Sequence, residues 1–87
     1  MKLPRDLSGD DLAKKLIPLG YTITRQTGSH LRLSRTTSEG SHHVTIPRHR
    51  ALRVGTLNAI LRDVANTLGI SKEELLRRIT IPTHRQT

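Results

Sequence analysis

Between Tyr21 and Ile46 the chain alternates apolar and polar residues in three short runs, and this alternation constrains the fold more than any other feature. The runs are Tyr21-Thr22-Ile23-Thr24-Arg25-Gln26, His30-Leu31-Arg32-Leu33-Ser34 and His42-His43-Val44-Thr45-Ile46. A period of two sends neighbouring side chains to opposite faces of a strand. Thr27-Gly28-Ser29 reads as a three-residue hairpin loop with Gly28 free to turn left-handed, residues 35–41 read as a polar loop, and Pro47 ends the third run. Strands joined this closely must be antiparallel. Parity then predicts Tyr21, Ile23, Leu31, Leu33, Val44 and Ile46 on a core face, with Thr22, Thr24, Gln26, His30, Arg32, Ser34, His43 and Thr45 on the other. Pairing like faces sets Gln26 opposite His30 and Thr24 opposite Arg32. The second hairpin leaves two registers open: His30 opposite Thr45 or Pro47, and Arg32 opposite His43 or Thr45.

Helical stripes on either side supply the cover for the apolar face. Residues 1–7 read as an irregular lead-in held out of helix by Pro4. Ser8 is a cap with Asp11 three residues on, Leu12, Leu16 and Ile17 form the inner stripe, and Pro18 and Gly20 stop the helix near residue 19. A second stripe, Leu57, Ile60, Leu61, Val64, Ala65 and Leu68, follows Thr56 as the expected cap and ends at Gly69. Ser71-Lys72-Glu73-Glu74 opens a short third helix with Leu75, Leu76 and Ile79 inward, and residues 80–87 read as a frayed tail. The expectation is one α+β domain over residues 1–87, with a core over 8–70 and an extra helix over 71–79. Its order is α-β-β-β-α, with both helices on one face of a three-stranded antiparallel sheet.

Composition narrows the function. The chain has 87 residues, no Cys, a single aromatic residue and a formal charge of +8. Without Cys there is neither a disulfide framework nor a zinc ribbon, no run is long enough to cross a bilayer, and no signal-peptide pattern opens the chain, so a cytoplasmic protein is expected. Nine basic residues lie between positions 12 and 62 against Glu39 alone, whereas the flanking stretches nearly balance. Such a field attracts polyanions, of which nucleic acid is the commonest. Single-strand binders usually stack bases on several rings, and Tyr21 lies on the core stripe, so recognition is expected through backbone and groove shape. Lys14, Lys15, Arg25, Arg32, Arg48, Arg50 and Arg53 are the candidate contacts. The segment Arg48 to Thr56 reads either as a phosphate site at a helix N-terminus or as a solvated basic turn.

His30 follows Gly28-Ser29, starts a strand, leaves the core face and sits among Arg residues. Imidazole is suited to proton transfer near neutral pH, and RNA carries its own nucleophile, the 2′-hydroxyl. A protein that positions a phosphate and removes that proton can cleave RNA without a metal, although many surface His residues are idle. Ser29, Arg32 and His43 are candidate helpers. The five His residues do not suggest a metal site: His42 and His43 point to opposite faces, and no helical His pair, Cys or paired carboxylate supplies a ligand shell. No cofactor is expected.

Leu19-Gly20-Tyr21, Gly28-Ser29-His30, Val44-Thr45-Ile46-Pro47-Arg48-His49 and Gly55-Thr56-Leu57-Asn58-Ala59-Ile60-Leu61-Arg62 occur in an order and spacing that resembles the HicA toxins. These are small ribonucleases of bacterial and archaeal toxin–antitoxin modules. The resemblance spans about residues 8–70. It implies a fold like the double-stranded RNA-binding domain, cleavage of messenger RNA that stops growth, and neutralisation by a HicB-type antitoxin that covers the active site. It carries the family's essential His to His30. Many members have a second His directly after it, where this chain has Leu31. Three readings are thus in play: a metal-independent endoribonuclease, a non-catalytic double-stranded RNA-binding module using the 48–53 loop, and a protein-interaction domain whose basic face meets an acidic partner.

Overall fold

The computed structural model describes residues 7–80, in the order α1 (Gly9–Leu16), a 3₁₀ turn (Ile17–Leu19), β1 (Thr22–Gln26), β2 (His30–Thr37), β3 (Gly40–Pro47), α2 (Val54–Leu68) and α3 (Lys72–Thr80). The sheet is antiparallel in the order β1-β2-β3. The expected α+β meander is therefore present, an open three-stranded sheet with helices before and after it, of the kind seen in double-stranded RNA-binding domains. The expectations for residues 1–6 and 81–87 lie outside the described residues.

Ser8 Oγ accepts the Asp11 N–H at 3.0 Å. Leu12, Ala13 and Leu16 are buried, and Gly20 ends the 3₁₀ turn at φ 104°, a conformation that costs glycine little. The start of α1 presses on the end of β3. A Cβ added at Gly9 would stand 2.0 Å from the Pro47 carbonyl oxygen, and the Gly9 N–H donates to the His49 carbonyl at 3.0 Å. Only glycine admits that approach.

Two expectations about the hairpins need correction. Gly28 does not take a left-handed conformation. The 27–29 loop is closed by Thr27 instead, whose hydroxyl accepts the N–H groups of Ser29 and His30 at 3.2 and 2.9 Å and donates to the His30 carbonyl at 3.2 Å. Residues 35–41 are not a loop either: β2 runs to Thr37, β3 starts at Gly40, and only Ser38 and Glu39 turn. Thr37 repeats Thr27's role there, donating to the Gly40 carbonyl at 2.9 Å and accepting the Glu39 N–H at 3.2 Å. Local side-chain bonds of this kind are what favour Thr and Ser in turns.

The register departs from simple parity in β1. Thr22 pairs with Ser34 and Ile23 with Leu33, after which a bulge brings Arg25 opposite Arg32 and Gln26 opposite Leu31. Gln26 therefore leaves the open face and joins Ile23 and Leu31 on the helix side, and Arg25 takes its place. A bulge adds one residue to one strand and so reverses the alternation beyond it. In the second hairpin His30 faces Pro47, Arg32 faces Thr45 and Ser34 faces His43, one of the two registers left open.

The core gathers Leu12, Leu16, Tyr21, Leu33, Ile46, Leu57, Leu61, Leu75 and Leu76, with Leu7 and Leu52 added from irregular chain. Ile23 is 41% exposed, because edge strand β1 is only partly covered. The stripe on α2 is buried as expected except for half-buried Leu68, and Gly69 ends the helix at φ 71°. Thr56 is not its cap. The helix starts at Val54 with Arg53 in extended geometry and no side-chain cap. In α3 the Glu74 N–H donates to Ser71 Oγ at 3.0 Å, and Leu75, Leu76 and Ile79 are buried.

Candidate nucleic-acid interface

His30 opens β2 at the end of the sheet where β3 leaves, directly opposite Pro47. It is exposed, and its Nδ1 lies 2.9 Å from Ser29 Oγ. The loop before it is clamped from two sides. Thr27 holds its backbone from within, and the Arg48 N–H donates to the Ser29 carbonyl at 2.8 Å. The Arg48 guanidinium donates to the Thr27 carbonyl at 2.8 Å and forks onto Asp10 at 3.0 and 3.2 Å. A bidentate fork fixes orientation as well as proximity. The hydrogen bond from Arg48, ahead of its charge, holds the Asp10 carboxyl below the usual carboxylate range, and Asp10 in turn raises the guanidinium. Arg48 is thus a strut between α1 and the loop that presents His30, and its fork is already engaged.

Arg32 stands two residues along the same exposed face, about 7 Å from His30 by strand geometry. His43 is further off. Its partner across the sheet is Ser34, four residues along β2 from His30, or roughly 13 Å. His30, Arg32, His43, Thr45 and Gln26, all expected on the open face, are therefore not one cluster. His30 and the clamped loop occupy one end, Arg32 and Thr45 the middle, and His43 the far half, where an open hollow of about 550 Å³ is lined by Thr22, Thr24, Arg25, Arg32, Ser34, Thr36, Ser41 and His43. There His43 Nδ1 lies 2.6 Å from Ser34 Oγ, which lies 3.2 Å from Thr24 Oγ1.

Arg50 and Arg53 are exposed on the connection from β3 to α2, and Thr56 is half-buried in the first turn of α2. Lys14 is exposed and Lys15 half-buried on α1. Lys14 borders a smaller hollow of about 150 Å³ with Asp10, Gln26 and Arg48. Alternation places Thr24 and Ser34 on the open face but gives them no mark as part of a site, and Thr27 lies outside the alternating runs. A Thr before a Gly-Ser turn is the available signal for Thr27.

His42 belongs to the core edge. Its Nδ1 meets the Tyr21 hydroxyl at 2.8 Å and the two rings pack edge to face. Its Nε2, shielded from water, has Asp63 Oδ2 at 3.1 Å as an ion-pair contact without the alignment of a hydrogen bond. Burial, then Asp63, raises the Tyr21 phenol above its ordinary value, against the opposing pull of Arg35. Among the described residues no group of three His, Cys, Asp or Glu could hold a metal ion, and no helix is long and apolar enough to cross a membrane.

A small α+β domain with an exposed imidazole at one end of a basic, uncovered sheet face is the class that fold and site define. The sequence model of the family described as HicA toxin of bacterial toxin–antitoxin matches residues 9–65, and the chain belongs to that family. It is thus a toxin of the toxin–antitoxin type, and membership implies a cognate antitoxin. No curated protein and no solved structure matches it.

Proposed function

We propose that this toxin is a metal-independent endoribonuclease that cleaves messenger RNA with His30 as its acid–base group and is neutralised by a HicB-type antitoxin. The observation that carries the reading is the setting of His30, an exposed imidazole held by Ser29 at the mouth of a loop clamped by Thr27 and Arg48. As a base, His30 keeps its own proton on Nδ1, donates it to Ser29 Oγ, and accepts the 2′-hydroxyl proton at Nε2. The 2′-oxygen then attacks the adjacent phosphorus and the bond to the 5′-oxygen breaks. A 2′,3′-cyclic phosphate remains on one fragment, and the 5′-oxygen leaves with a proton returned through the imidazolium or water. Arg32, two residues along β2 from His30, suits the next phosphate along the strand and not the one attacked. Arg50, Arg53, Lys14 and Lys15 supply weaker, longer-range attraction. The alternative of a non-catalytic module built on the 48–53 loop is disfavoured by the engagement of Arg48 with Asp10.

Purified protein should cleave RNA in the presence of EDTA and leave a 2′-deoxy substrate intact. His30→Ala should cut the rate by at least a factor of about 100 with an unchanged circular dichroism spectrum. Inducible expression should arrest bacterial growth for the wild type alone. Full cleavage by the folded variant would remove His30 from this role.

A further inference from the structure

The far half of the open face has features that the chemistry at His30 does not use. The bulge in β1 turns Arg25 onto this face and sets it directly opposite Arg32. Like charges paired across strands destabilise a sheet, and no carboxylate lines the hollow around them. Two guanidinium groups placed so have a use if an anion sits between them. Bulges recur where a strand must re-aim a side chain at a ligand.

The hydroxyls beside them are arranged to serve the same ligand. Thr24 Oγ1 donates to the Arg32 carbonyl at 3.2 Å. It can then only accept from Ser34 Oγ, which in turn accepts from His43 Nδ1 at 2.6 Å. This directed chain holds the His43 ring by one nitrogen. The other nitrogen, Nε2, becomes a donor when the ring is protonated.

We propose that Arg25, Arg32, Ser34 and His43 form a second phosphate subsite, which holds a backbone phosphate of the RNA strand away from the one attacked at His30. The inference rests on the ribonuclease reading, and it adds a track along β2 from His30 to Ser34. An RNA backbone fits the hollow better than an acidic protein does. The lining is hydroxyl, guanidinium and imidazole, with none of the large apolar anchors around which protein interfaces form.

The test measures binding of a short fluorescein-labelled single-stranded RNA by anisotropy in a His30→Ala background, so that cleavage plays no part. Arg25→Gln with Arg32→Gln should weaken binding at least about tenfold and lower the slope of log K against log salt by about 0.7 per Arg removed. Because the two charges repel in the free protein, this variant should melt no lower than its parent. The control Arg77→Gln with Arg78→Gln removes the same charge from α3, where both Arg residues pair with Glu74, and should leave affinity within about twofold. Equal weakening in both double variants would reduce the effect to overall charge and overturn the subsite. Undiminished RNA binding with loss of antitoxin binding would overturn it in favour of a protein interface. His43→Ala alone should also weaken binding, because its ring lines the hollow beside Arg25 and Arg32. A His43→Ala protein that binds as tightly as its parent overturns the share given to His43. Failure of the parent to bind RNA at all would instead reject the ribonuclease reading, and the subsite with it.

Discussion

At the scale of single residues, two positions carry more than their chemistry announces. Gly9 is needed for what it lacks. Its missing Cβ leaves room for the Pro47 carbonyl, and its N–H joins α1 to the chain beyond β3. Gly9→Ala should therefore destabilise by about 1–3 kcal/mol, the usual cost of overpacking, read as a lower urea midpoint with an unchanged m-value. Asp10, one residue on, is the exposed half of the clasp with Arg48. Its carboxyl is held low in the folded state, so its contribution is present above the unfolded value of about 3.9 and is lost as pH falls through the lower folded value. Asp10→Asn should thus lower the melting temperature at neutral pH and in low salt. The gap to the wild type should close below about pH 4 and shrink in high salt. An equal gap at all pH values would mean that the asparagine acts by some route other than the lost charge.

At the scale of elements, alternation and helical periodicity were enough to read the order α-β-β-β-α, the inward stripes of α2 and α3, the caps at Ser8 and Ser71, and the open-face position of His30. They failed where a local bond outvoted a pattern. Gly28 looked like the turn residue, yet the Thr27 hydroxyl closes that loop, and the Thr37 hydroxyl lets β2 and β3 run further than a polar stretch suggested. Parity in β1 broke at the bulge, because period two says nothing about an inserted residue. Arg48 looked like a free phosphate ligand, since Asp10 is far from it in sequence. The same local logic predicts the behaviour of the β2–β3 turn. Gly40 sits at φ 126° with open space where a Cβ would point, so Gly40→Ala is strained by conformation alone, by about 1–2 kcal/mol. It lies at the opposite end of the hairpin from His30, which pairs with Pro47. The variant should melt lower but keep the wild-type rate of the proposed RNA cleavage at temperatures where both are folded.

At the scale of the whole molecule, charge distribution is the dominant property. A formal +8 on 87 residues, almost all of it contributed between positions 12 and 62, repels itself in the compact state. No charged side chain is buried among the described residues, so this repulsion is exposed to solvent and salt screens it. Stability should therefore respond to simple salt and to RNA in opposite regimes. In the absence of RNA, sodium chloride should raise the melting temperature steadily as repulsion is screened. At low salt, RNA should raise it much more. A ligand present at 100 times its Kd adds about 2.7 kcal/mol, which for a domain of this size is more than about 10 °C. Adding salt to the RNA complex should first lower the melting temperature, because phosphate contacts weaken steeply with ionic strength. It should then rejoin the curve of the free protein. Differential scanning fluorimetry of His30→Ala, with and without RNA across a salt series, reads both curves without cleavage. Two parallel curves that never meet would mean that RNA is held by something other than the charge on this face.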